Sequence, residues 1–588
     1  METKEKALVP GGGFLVDRAA PEDVFTPEDL EESHRLVRKA AADFMQREVL
    51  PRDAQLEKQD WELTRTLLRK LGEMGFLAPD LPEEYGGGGM DSLASLVLAE
   101  ELSGSSFSVS YGGHVGIGTL PVAFFGNEEQ KRRYLPAMAR GEKIGAYALT
   151  EPTAGSDALS IRTRATLSPD GKYYLLSGQK QFITNAAFAD VFTVYAKVDG
   201  EHFTAFLVDR DTEGLSLGDE EHKMGVKGSS TRSVFLENAK VPVENLLGEV
   251  GQGHRIAFNI LNLGRFKIGA ACLGGGKKAL RHAVGYALQR HQFGKPIAEF
   301  GLIRQKLARM AVGLYAVESM VYRTGGLVEA AVGGIRGGQE VLRALEEYAI
   351  ESSMNKVFAT EVLDFVVDEV VQIYGGYGYI EEYPAARAYR DARINRIWEG
   401  TNEINRLLIV DMLTKRALRG RLDLMSAIQR VVGELTSPSP EAEPADDPLG
   451  EEARLVDGMR KATLLVAGVA VQKQLDRLEH LQEVLGWIAD LATEVFAAES
   501  ALLRAQKAAR RQDSKAPLLA TLTRAHLYEA LPRVEATARQ VLAAVDEGDS
   551  LRTELAGLRR FLRYTPPNLV ALQRAVAEAV VQAGGYPL

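Results

Sequence analysis

The spacing of apolar residues changes twice along this chain of 588 residues, and that double change constrains the fold more than any other feature. From Thr26 to about Gly145 apolar side chains recur every three or four positions, as at Leu36, Val37, Ala40, Ala41 and Phe44, which predicts helices. Between about Glu151 and Val250 the pattern shortens to β-rich runs such as Val191-Phe-Thr-Val-Tyr-Ala and Phe203-Thr-Ala-Phe-Leu-Val, broken by Gly, Asp and Asn. Such runs predict a mostly antiparallel sheet. Helical spacing returns from Gly253 to about Leu413, interrupted by the glycine-rich stretches Val332 to Gly338 and Tyr374 to Tyr379. Ser437 to Pro448 combines proline with acid and has no period, so it reads as a solvated linker ahead of a last helical segment. The predicted division is an N-terminal extension 1–25, a helical domain 26–148, a β-domain 149–251, a helical bundle 252–436, a linker 437–450 and a C-terminal helical domain 451–588. The fold class is α+β, mainly α.

Composition removes several classes of function. A net charge of −10 argues against a phosphate-backbone partner, so no nucleic acid is expected. The single cysteine, Cys272, excludes intramolecular disulfides and cysteine-rich zinc sites and fits a reducing cytoplasmic compartment. The longest uninterrupted apolar run, Ala462 to Val471, is well short of the ~18 residues a spanning helix needs. The basic, apolar segment Leu455 to Lys473 is compatible with lying on a bilayer surface, which would place the protein peripherally at the inner face of the membrane. A segment of this kind is more often a packed helix. There is no Walker A sequence and no His-Glu-x-x-His, and His114, His202, His222 and His254 lack metal-ligand spacing. No metal is expected.

Two stretches carry legible chemistry. In Ile397-Trp-Glu-Gly-Thr-Asn, Thr401 can cap a new helix, so Glu399 and Gly400 sit where free backbone N–H groups and the positive helix end point outward. A carboxylate there can act as a base beside an anion-binding amide, although a glutamate before a helix is more often a capping acid. In Tyr147-Ala-Leu-Thr-Glu-Pro-Thr-Ala-Gly-Ser-Asp, small hydroxylated residues expose groups able to hold the polar edge of a planar cofactor, or simply form a solvated loop. Gln181-Phe-Ile-Thr-Asn follows some thirty residues later, with Phe182 available for stacking and Thr184 for a hydrogen bond.

Taken in order, these stretches resemble the acyl-CoA dehydrogenase family from about Phe25 to Leu413. The resemblance is also carried by Glu73-Met-Gly-Phe-Leu-Ala-Pro, Pro82-Glu-Glu-Tyr-Gly-Gly, Gln289-Arg-His-Gln-Phe-Gly and Gln372-Ile-Tyr-Gly-Gly-Tyr-Gly. Asn259 to Phe266 and the extra C-terminal domain look most like the very-long-chain branch and its long bacterial relatives. The resemblance implies FAD held between the sheet, the third domain and a neighbouring subunit of a homodimer. It implies Glu399 as the base that takes the α-proton of a long-chain acyl-CoA, giving a trans-2-enoyl-CoA in fatty acid β-oxidation. Electrons would pass to an electron-transfer flavoprotein. Some branches place the base on the helix that here carries Gly264, which cannot accept a proton.

Carried over residue by residue, Tyr147, Thr150, Ser156, Phe182 and Thr184 resemble cofactor contacts, with Thr150 at the flavin pyrimidine edge and Thr184 near N5. Phe182 stands where tryptophan is frequent. Arg290, Phe293, Gln372 and Gly376 resemble residues that hold the ADP portion across the dimer interface, and Thr401 with Glu403 completes the set. Ser156, Asn262, Arg265 and Gly400 match acyl-CoA contacts. The glycines of Tyr111-Gly-Gly-His-Val-Gly-Ile-Gly fall on the floor of the family's acyl pocket and either leave room for a long tail or permit close helix packing. An oxygen-using acyl-CoA oxidase and a respiratory-complex assembly protein are the competing readings.

Overall fold

The computed structural model describes residues 8–334, 338–436, 449–474 and 476–588. The body of the predicted linker, residues 437–448, and part of the glycine-rich stretch, residues 335–337, lie outside these. The first helical region is built from Glu32–Phe44, Trp61–Glu73, Ser92–Glu101 and Glu128–Ala139. Polar caps start three of them: Asp60 accepts from the Leu63 amide, Asp91 from Ala94 and Asn127 from Gln130.

The sheet begins at β1 (Gly145–Ala148) and continues through β2 (Arg164–Leu167), β3 (Tyr173–Thr184), β4 (Val191–Val198), β5 (His202–Asp209), β6 (Leu215–Glu220), β7 (Thr231–Pro242) and β8 (Leu246–Leu247). The order is β6-β7-β3-β2-β4-β5-β8, with β1 lying parallel to β4 in the register Gly145↔Val191. β4 alternates between two cores. Val191 and Tyr195 face the helices, whereas Phe192, Val194 and Ala196 pack within the sheet domain.

A loop from Thr150 to Thr163 joins β1 to β2 and is pinned by a buried ion pair. The Lys180 ammonium donates to Glu151 at 2.7 Å, and Glu151 also accepts from the Arg162 and Thr163 amides. The side chains are 0% and 4% exposed. Burial pulls the lysine down to about 8 in spite of its partner. The glutamate stays below its usual value, because Lys180 and the amide donors outweigh its own desolvation.

Three long helices, Gly253–Gln289, Gly301–Val332 and Ala349–Tyr374, form the scaffold behind the sheet. Gly253–Gln289 is long and apolar enough to cross a membrane by length and composition, and 61% of its apolar window is buried inside the protein. Counting uninterrupted apolar residues overlooks it, because polar residues such as Asn262 and Arg265 interrupt its length.

The last helical region comprises Gly450–Gln474, Gln482–Arg510, Ala516–Val545, Gly548–Phe561 and Leu569–Ala583. Leu455, Val456, Met459, Leu465 and Val466, the apolar residues of the basic segment noted above, are buried in it. Residues from the chain's start clamp this region to the scaffold. Phe14 packs on Phe496 at 5.0 Å between ring centroids, and Arg460 donates to the Phe14 carbonyl at 2.8 Å. Arg504, 2% exposed, donates to both Glu28 and Glu318, and Tyr586 donates to Glu318 at 2.8 Å.

Removing one member of a buried pair leaves the other uncompensated. Lys180→Met is therefore expected to cost about 3–5 kcal/mol in denaturant unfolding. An unchanged unfolding midpoint would show that Glu151 is satisfied without its cation.

Candidate active site

The helix Asn402–Leu418 starts with Thr401, whose hydroxyl accepts from the Ile404 amide at 3.3 Å. Before it, Glu399 (φ 55°) and Gly400 (φ 82°) both take left-handed backbone and reverse the chain. Glycine adopts this freely, but for a glutamate it is strained and must be imposed by surroundings. The surroundings are specific. Arg265 Nε donates to the Glu399 carbonyl at 3.0 Å and is steadied by Asn262 at 2.9 Å. Lys356 Nζ and Asn405 Nδ2 each donate to the Gly400 carbonyl at 2.8 Å. Among the described residues no hydrogen bond uses the Glu399 or Gly400 amide as donor, so both remain available at a positive helix end.

The Glu399 carboxylate lies directly against Gly264. A Cβ at that glycine would come within 2.4 Å of Oε2 and 2.6 Å of Cδ. Glu399 as a whole is half-buried, but its Oε2 is closed to solvent and has no hydrogen-bond partner. Burial raises the carboxyl to about 7, against the pull of Arg265 and Lys356. Lys356 is itself lowered to about 8 by burial. The arrangement can hold a base near neutral pH with an acceptor atom unspent and two amide donors beside it.

The sheet supplies a second set of residues. β3 is irregular between Lys180 and Ile183, where Phe182 takes φ 59° and turns its ring outward, 57% exposed. The Gln181 amide donates to the Thr150 carbonyl at 2.9 Å, which ties Thr150 beside Phe182 and Thr184. Tyr147 is buried next to Tyr195, 5.2 Å between centroids, and its phenol is pushed well up by burial, with Glu399 adding to the effect. Ser156 stands exposed on the loop that Glu151 pins. Glu403 lies in the first turn behind Thr401.

Arg290, Phe293, Gln372 and Gly376 gather elsewhere. Arg290 ends the helix Gly253–Gln289 and stacks over Tyr377 at 5.5 Å, bringing it to the turn Gly375–Tyr379 beside Gln372. Phe293, on the hairpin His291–Pro296, is 94% exposed with φ 52°. Arg265 and Arg290 are separated by 25 positions of one continuous helix, about 38 Å at 1.5 Å per residue.

Sequence reasoning missed Lys356, Lys180 and the space-making role of Gly264. No apolar run flags either lysine, since Lys180 stands between Gln179 and Gln181 and Lys356 follows Ser352-Ser-Met-Asn, yet each is 0% exposed. Nothing in the sequence marks which glycine will face a carboxylate.

The fold and this site define a dehydrogenase acting on acyl thioesters. Acyl-CoA dehydrogenase domain families match the chain in order: N-terminal domain at 31–142, middle domain at 146–239, C-terminal domain at 251–414, and a further C-terminal domain at 458–560. The chain belongs to the acyl-CoA dehydrogenase family, and it is an oxidoreductase. It is 48% identical to a probable acyl-CoA dehydrogenase of Bacillus subtilis (strain 168), over 100% of both chains. It superposes with TM-score 0.97 and 48% identity on the crystal structure of an acyl-CoA dehydrogenase complexed with FAD from Bacillus anthracis, covering 99% of this chain and 100% of that one. The mitochondrial very long-chain specific acyl-CoA dehydrogenase of Macaca fascicularis is 41% identical over 61% of this chain and 53% of its own length.

Gly264→Val would drive a side chain into the carboxylate. It is expected to slow acyl-CoA dehydrogenation by about tenfold to a hundredfold, since misplacement of a reacting group by about 1 Å has that scale of effect. The far-ultraviolet circular dichroism should be unchanged; wild-type turnover in this variant would mean that the carboxylate works from another position.

Proposed function

We propose that this protein is an FAD-dependent dehydrogenase of long-chain fatty acyl-CoA, working as a homodimer, with Glu399 as its base and an electron-transfer flavoprotein as its electron acceptor. The observation that carries the reading is the buried, unpartnered Glu399 carboxylate beside free amides. The residues present fit the cofactor. Phe182 offers an exposed ring from a strained bulge, Thr150 is tied next to it, and Thr401 and Glu403 open the helix that follows Glu399. Bound there, FAD would supply the acceptor for the hydride that leaves the β-carbon.

The protein's own residues would do the rest. Glu399, as carboxylate, takes the α-proton while the C–C single bond becomes a trans double bond. The negative charge that grows on the thioester oxygen is met by the Glu399 amide, already oriented and without another partner. Arg265, steadied by Asn262, fixes the next peptide through the Glu399 carbonyl, and Lys356 fixes the one after it through the Gly400 carbonyl. Exclusion of water keeps the base near the operating pH rather than at the ordinary carboxylate value.

Two further observations support the finer parts of the reading. Arg290 lies about 38 Å along the helix from Arg265, which holds the Glu399 turn, and in a homodimer a second copy would bring its own Arg290, Phe293, Gln372 and Gly376 to the first copy's cleft. The strained, 94% exposed Phe293 fits a residue meant for such a contact. On chain length, a Cβ at Gly112 or Gly116 would meet nothing within 4 Å, whereas Gly113 and Gly118 pack tightly on Thr184 and Gly145. The open glycines favour space for a tail, and the other two serve packing.

Glu399→Gln is expected to reduce anaerobic flavin bleaching by palmitoyl-CoA by about 10²- to 10⁴-fold while FAD stays bound. Because the base must be ionised, the wild-type rate should climb as pH rises through about 7, and that limb should vanish in the variant. Bleaching that survives the substitution would remove Glu399 from the reaction. Gly116→Phe should shift the preferred acyl chain to shorter lengths, read as kcat/KM across a series of saturated acyl-CoAs; an unmoved optimum would place the tail elsewhere.

A further inference from the structure

The helix that follows the base is gripped on its far side by the C-terminal helical region. Arg406, one turn into Asn402–Leu418, donates through Nε to Asp490 at 2.7 Å and through Nη2 to Glu361 at 3.1 Å. Asp490 belongs to Gln482–Arg510, in the last domain, and Glu361 to Ala349–Tyr374, in the scaffold. Glu361 also accepts from Asn402 Nδ2 at 3.0 Å. Asn402 Oδ1 accepts from Lys356 at 2.6 Å, and the same ammonium donates to the Gly400 carbonyl at 2.8 Å. The hydrogen bonds run unbroken from Asp490 to the residue next to Glu399.

We infer that Arg406 and Asp490 are positioning residues, through which the C-terminal helical domain sets the place of the Glu399–Gly400 turn. The inference rests on the reading of Glu399 as the base. The side chains of Asp490 and Glu361 are 38% and 41% exposed, so neither ion pair alone adds much stability. What the pairs provide is a fixed geometry: one guanidinium locks a helix from each domain to the helix that begins at the turn. The turn is sensitive to such support. Glu399 holds a strained backbone, and its carboxylate has no slack against Gly264.

The groups facing that carboxylate are Arg265 from the helix Gly253–Gln289, Lys356 from Ala349–Tyr374 and Tyr147 from β1. Desolvation is the largest influence on it. Loosening the turn admits water and moves the carboxyl down towards its ordinary value.

The test uses the FAD-loaded protein with Arg406→Gln, Arg406→Lys, Asp490→Ala and Asp490→Asn, and reads anaerobic bleaching by palmitoyl-CoA across pH. Arg406→Gln and Asp490→Ala should keep their flavin and half-saturate within about twofold of wild type. Their maximal rate should fall about tenfold, and the midpoint of the pH limb should move to lower pH. Arg406→Lys should recover most of the rate, and Asp490→Asn should fall between Asp490→Ala and wild type. Wild-type rates and midpoint in the first two variants, or a loss matched by lost flavin in both Asp490 variants, would overturn the relay. Glu399→Gln alongside separates the two failures. Bleaching that survives it removes the base and the relay's purpose together, whereas bleaching that it abolishes while the Arg406 and Asp490 variants behave as wild type overturns the relay alone.

Discussion

Keeping one carboxylate dry without giving it a hydrogen-bond partner is the constraint around which the rest of this protein is arranged. A buried acceptor left unspent costs free energy that must be offset elsewhere. Here the backbone carries the load: Arg265 and Lys356 bind the carbonyls of Glu399 and Gly400 rather than the carboxylate itself. The two cations hold the turn while leaving Oε2 free. Had either reached the carboxylate, an ion pair would have drawn its proton affinity far below neutrality.

That choice dictates features far from the turn. The scaffold helix must carry glycine at 264, and it must be long enough to bear Asn262 and Arg265 near one end and Arg290 at the other. The sheet presents Phe182 and Thr184 from an irregular strand, beside the loop that follows β1. Glu151 and Lys180 fix it from inside the protein, with no surface contact needed. Left-handed backbone at Glu399, Phe182 and Phe293 falls where chemistry or contact is proposed, and six other non-glycine residues among those described, Val226 included, share it.

Much of this was legible in the sequence. The two changes of apolar period located the sheet between helical regions, because burial on one face of a helix or on alternate faces of a strand leaves a local imprint. Capping chemistry is local too, so the Ile397 to Asn402 motif placed Glu399 at a helix start, while its reading as a base came from the family resemblance. The supports were not legible in this way. Lys356 lies 44 positions from the carbonyl it binds, and Arg265 lies 134 from its own. Partners so distant are set by helix packing, and no local pattern records them. The glycines at 112 and 116 were ambiguous for a related reason: only the surrounding space distinguishes a lining residue from a packing one.

The clamp between the chain's two ends has a bearing on how the protein is made. Glu28 and the arginine that binds it are 476 positions apart, and the Phe14 carbonyl waits for a donor 446 positions later. Synthesis delivers the acceptors first and the donors almost last. Before then the opening segment can dock only on the scaffold, where Gly11 and Gly12 donate to Glu347 and Glu351, and Glu318 keeps only part of its final set of partners. Closure of the clamp is available only once Arg504 has emerged, so the contacts that tie the opening segment to the last helical region form after the three preceding domains have been made.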